Sequence, residues 1–102
     1  MPIKTTPIKT AAGTAESLEV SWDGGQFVMI IGERGVLSCG VVDEKVMNRF
    51  GAAVAIARGT PENPLVTPDD LLAATVADVT DEAAARGVTT GMSGSDALGK
   101  FV

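Results

Sequence analysis

The chain has neither histidine nor tyrosine, and a single cysteine among its 102 residues. Without an imidazole there is no Ser-His-Asp or Cys-His nucleophile. One thiol is too few for a zinc site of histidine and cysteine, and it excludes an intrachain disulfide. Aromatic residues make up only 4%, one Trp and three Phe. Basic residues are also few, eight against thirteen acids, which leaves a net charge of −5. Phosphate neutralisation needs clustered Lys and Arg, so no nucleic-acid partner is expected, and Lys4 and Lys9 alone make no patch. Long apolar runs are missing as well. Residues 27–31 and 52–57 are the longest, far short of the roughly 20 residues that span a bilayer. Residues 1–10 lack the apolar centre of a secretory leader. The expectation is a cytoplasmic protein with a reduced thiol and no membrane partner.

What the chain does have is 45% hydrophobic residues, enough to fold as one domain over residues 1–102. Residues 2–10 read as a strand that Pro2 and Pro7 confine to a sheet edge. Leu18, Val20 and Trp22 alternate with Ser17, Glu19 and Ser21, the pattern of a half-buried strand. Asp23-Gly24-Gly25 supplies a turn that tolerates positive φ. Residues 26–31 form a second apolar strand, residues 32–35 a turn, and residues 36–42 a third strand, completing a β-meander.

At Asp43 the periodicity changes. Its carboxylate suits a helix N-cap, Val46, Met47 and Phe50 share one face, and Gly51 fits the position after the last turn. Residues 52–57 then read as a strand, with Ala53, Ala55 and Ala57 on one side and Val54, Ile56 and then Arg58 on the other. The small side lets a helix approach closely. Thr67-Pro68-Asp69-Asp70 is a strong helix start, Thr80 caps another helix, and Ser93 a third that docks through Leu98 and Phe101. Val76 and Val79 suggest a brief extended piece between them. Strands first and helices later make an α+β fold, with two to three C-terminal helices packed on the sheet. Strand order stays open, because the link after residue 42 is short for a parallel crossover.

Four features bear on chemistry. Cys39 shares a strand face with Leu37 and Val41, which makes it a small core hydrophobe; the competing reading is a reactive thiol tuned by Arg58. Asp43 is explained by capping, but it also follows a strand, where ligands gather in sheet proteins. Arg58 ends a strand at the rim. It fits either a salt bridge, with Asp43 the natural partner, or an anion clamp using the guanidinium fork. Residues 89–95 and 32–35 are poor phosphate loops, since no Lys-Ser or Lys-Thr follows their glycines. The acids Asp69, Asp70, Asp78, Asp81 and Glu82 read as first-turn helix charges, so no metal and no cofactor is expected.

Gly35-Val36-Leu37-Ser38-Cys39-Gly40 with Asp43, then Ala57-Arg58-Gly59, Asp70-Leu71-Leu72 and Val79-Thr80 occur in that order. Gly87-Val88, Gly91-Met92-Ser93-Gly94 and Ala97-Leu98 follow. On these residues the chain resembles the YunC-like family, small bacterial and archaeal proteins classed as a domain of unknown function. The likeness covers about two thirds of the chain. It implies an α+β fold, brings no established reaction, and singles out Cys39, Gly40, Asp43, Arg58 and Gly59. The segment 60–66 is longer and richer in proline than the family's pattern, and Val41 stands where a bulkier residue is common.

Three functions compete. A binding module would hold a small anionic ligand at the strand rim through Arg58 and Gly59, with Cys39, Gly40 and Asp43 lining the pocket. An enzyme would use Cys39 as nucleophile, with proton transfer falling to Asp43, a lysine or water. A structural homo-oligomer subunit would associate through strand edges or the alanine face. Self-association is expected, because a chain this short buries only about 60–65% of its surface alone.

Overall fold

The computed structural model describes residues 2–102. Its centre is one six-stranded sheet in the order β1 (Ile3–Lys9), β2 (Thr14–Trp22), β3 (Gly25–Gly32), β4 (Gly35–Ser38), β5 (Val54–Ala57) and β6 (Val76–Val79). Chain order and sheet order coincide. The first four strands run antiparallel, β4 and β5 are parallel, and β6 turns antiparallel again. Pro7 lies inside the edge strand β1, the position a residue without an N–H tolerates. Gly24 makes the turn between β2 and β3 at φ 103°, a conformation that disfavours any residue with a Cβ.

Four short helices complete the fold: α1 (Glu44–Arg49), α2 (Pro68–Ala73), α3 (Asp81–Ala85) and α4 (Gly94–Gly99). Each starts at the expected cap. Asp43 accepts from Lys45 N and Val46 N, Thr67 and Asp70 form a reciprocal capping box, and Thr80 and Ser93 bond the third residue beyond them.

The third strand ends at Ser38, not at residue 42, and Val41 is exposed. That shorter strand resolves the topology. The connection to β5 spans residues 39–53 and includes α1, more than the roughly 10–12 residues a parallel crossover needs. Asp78 also stands elsewhere than expected, within β6 opposite Ile56 and not at a helix start.

The main core lies on one side of the sheet. Val28, Ile30, Leu37, Ala55 and Ala57 meet Leu71, Ala83, Val88, Leu98 and Phe101 there. The alanine side of β5 faces this core, which lets α3 approach through Ala83. Helix α4 comes equally close to α2: a Cβ at Gly94 would overlap the Leu71 carbonyl oxygen. On β2 the buried side is Ala15 and Ser17, while Leu18 and Val20 are half-buried and Trp22 is exposed. Alternation identifies two faces of β2, and the helices take the one with small residues. On the opposite side of the sheet α1 packs against β5, and Val54 and Ile56 are buried there, outside the main core. The predicted α1 face is less buried than its spacing suggests: Val46 is exposed, and Phe50 is 79% exposed.

Candidate functional site

The parallel strands β4 and β5 both end at the same rim of the sheet, and their C-terminal extensions supply the candidate residues. After Ser38 the chain turns through Gly40, Val41 and Val42 to the α1 cap, and β5 runs out into Arg58. Between them lies an open groove of about 480 Å³, lined by residues 40–45, Arg58 and Asp78. The crevice outside the carboxyl ends of parallel strands is where open sheets commonly bind ligands.

Arg58 is held from one side. Its Nε donates to Asp78 Oδ2 at 3.0 Å and its Nη2 donates to the same oxygen at 2.7 Å. The partner is therefore Asp78 and not Asp43. Asp43 is occupied differently, its Oδ1 accepting from Lys45 N at 2.8 Å and Val46 N at 3.4 Å. The Arg58 side chain is 56% exposed and that of Asp78 35%. At this exposure the ion pair contributes little to stability, roughly 0.2–1 kcal/mol. Its effect is geometric. With Nε and Nη2 engaged, the guanidinium plane is fixed, and Nη1 makes no hydrogen bond among the described residues.

Gly40 lies against that free end. A Cβ there would stand 3.2 Å from Arg58 Nη1, so a larger residue would crowd the guanidinium. Gly40, Asp43 and Arg58 thus share one groove. Cys39 does not line it. It is 9% exposed, belongs to the main core, and its Sγ accepts from Val28 N at 3.5 Å. Gly59 is accounted for by the loop that follows, since a Cβ would come within 2.9 Å of Leu65 N and 3.0 Å of Asn63 O. That loop walls a second hollow of about 640 Å³, which Arg58 also borders. Arg58 therefore stands between two concavities.

Asp78 is the residue that sequence reasoning missed. An acid within a short apolar strand, beside a strand ending in Arg, is the cross-strand pairing signal that marks it. Around the groove Asp43, Glu44 and Asp78 face Lys45 and Arg58. Two of those acids are already committed, Asp43 to backbone N–H groups and Asp78 to Arg58. Among the described residues no three Cys, Asp or Glu side chains gather as metal ligands. No helix there is long and apolar enough to cross a membrane.

Residues 38–101 match the family described as domain of unknown function DUF1805, a span that includes the whole groove. No curated protein matches the chain. Among solved structures it is similar to a protein of unknown function, TA1206, from Thermoplasma acidophilum. The TM-score is 0.87 at 20% identity, over 98% of this chain and 93% of the other. At that identity the likeness carries the fold alone.

Proposed function

The chain belongs to the DUF1805 domain family, which carries no assigned reaction, and on that premise we propose that it is a binding module for a small carboxylate-bearing molecule. The YunC-like resemblance is compatible with this reading. The single observation behind it is Arg58: a guanidinium locked by Asp78 on two nitrogens, with its third nitrogen free over Gly40 and facing the groove. A fixed fork loses little freedom when it binds an anion, which is why arginine suits carboxylate recognition. Three acids against two bases line the groove, a balance that disfavours polyanions such as nucleoside triphosphates and admits a singly charged ligand. Val41 and Val42 offer apolar contact to the rest of such a molecule. A core thiol argues against the competing enzyme built on Cys39. The lone cysteine suits a reducing compartment, and we place the protein in the cytoplasm on that ground.

Thermal unfolding with a panel of small carboxylates, and with inorganic phosphate for comparison, tests the proposal. A ligand at about a hundred times its dissociation constant adds about 2.7 kcal/mol, a rise of several degrees for a domain this small. The rise should vanish in Arg58→Ala, which removes an exposed side chain and leaves the fold intact. Equal rises in both proteins, or none with any anion, would overturn it.

A further inference from the structure

The side of the sheet away from the main core is only half covered. Helix α1 lies over β5, and among the described residues no helix packs on the β1–β3 half. By strand register that half presents Ile3, Leu18, Val20, Trp22, Met29 and Ile31 on one surface. Ile3 and Trp22 are 57% exposed and Ile31 is 43% exposed. The usual antiparallel pattern, apolar toward the core and polar toward water, is reversed here: β2 turns Ala15 and Ser17 inward and Leu18, Val20 and Trp22 outward.

Trp22 is exposed yet packed on one side. Its indole lies against Gly25, where a Cβ would come within 2.8 Å of Cε2, and it meets Phe27 edge-on at 6.1 Å. A large aromatic already fixed in place loses little freedom on association, as interface anchors do.

We propose that this open sheet face is the dimerisation surface for a second copy of the chain. Charge favours that occupant. Register places only Lys9 and Glu16 on this face in β1–β3, near the same end and of opposite sign. A neutral patch on a chain of net charge −5 has nothing with which to recruit a charged partner, and it avoids repulsion where two copies meet. Shape agrees, because two identical twisted sheets stack about 10 Å apart through one self-complementary surface. Area sets the strength. Three strands about 4.8 Å apart and about 25 Å long project roughly 350–400 Å². With side-chain relief and the rim from Val36, which register sets beside Ile31, closure removes roughly 1,000 Å² in all, the lower edge of specific interfaces. The dimer is therefore of the weak, reversible kind.

Trp22, the only tryptophan, reports the event directly. Sedimentation is measured from about 1 µM to about 1 mM, a range suited to a weak interface, alongside quenching of Trp22 emission by acrylamide. The expected result is a shift from monomer to dimer mass with a parallel loss of quenching. Ile31→Lys, at an exposed position opposite Glu16, should weaken the dimer at least tenfold while its thermal unfolding stays that of the wild-type monomer. A monomer throughout the range would overturn the proposal, whatever other partner or surface the face meets. So would a dimer in which Trp22 stays fully quenchable or which Ile31→Lys leaves intact.

Discussion

Cys39 and Gly40 are neighbours in the chain but occupy different environments. The thiol sits in the helix-covered core, while the glycine opens onto solvent beneath a guanidinium. Access controls thiol chemistry first, because a reagent must reach the sulfur before its ionisation matters. Iodoacetamide should leave the native protein unmodified and alkylate it fully in denaturant. Native modification at the rate of a free thiol would return Cys39 to the groove. The inward alternation of Cys39 with Leu37 was already visible in the sequence. Asp78 carries the mark of a cross-strand pair, an acid in a short apolar segment, but no local rule joins it to Arg58 twenty residues upstream. Asp43, nearer in sequence, is diverted by the N–H groups of its own helix.

The helices are short, five or six residues each, so their ends carry much of their stability. Thr80 is the most committed cap. Buried at 0% exposure, its hydroxyl donates to Ala52 O at 2.7 Å and accepts from Val54 N at 2.9 Å and Ala83 N at 3.3 Å, joining α3 to β5. Thr80→Val keeps the shape and orphans all three groups, at a cost of about 2–3 kcal/mol. Thr67→Ala, at a solvent-facing cap, should cost only about 1 kcal/mol. Urea unfolding of the two variants gives the ranking.

Asp70 in the same capping box holds its carboxyl below the usual range. The backbone N–H of Thr67 is the main cause, then that of Val66, with the Thr67 hydroxyl adding to them. Its folded-state value is depressed, so its stabilisation is complete above the unfolded value near 4 and is lost as pH falls through the folded one. Asp70→Asn should therefore be less stable than wild type at pH 7, with the gap narrowing as pH falls below about 4, again by urea unfolding. Caps of this sort are read easily from sequence because donor and acceptor are three residues apart. Strand ends are harder: Val41 and Val42 continue an apolar run, yet the chain has already turned away at Ser38.

Across the whole molecule, the sheet adds each strand beside the one before it, and only the β4 to β5 step needs a crossover. The meander and the α+β class follow from period-2 segments and turn chemistry, and both are present in the sequence. Periodicity leaves one choice open, namely which side of a two-faced strand the helices cover. In β2 they cover Ala15 and Ser17, because small residues let α2 sit close. The larger residues are left outward.

The two borders of the sheet differ in how they are closed. On β1, Pro7 interrupts the outer row of donors in mid-strand. Beyond β6, Val76 N donates to Met92 O, Gly91 N donates to Val76 O, and Thr75 bridges to Ser93. Neither border offers an unbroken ladder to an incoming strand, which is the template that cross-β fibres need. Even at high concentration, and with so much hydrocarbon outward, the protein should grow no filaments.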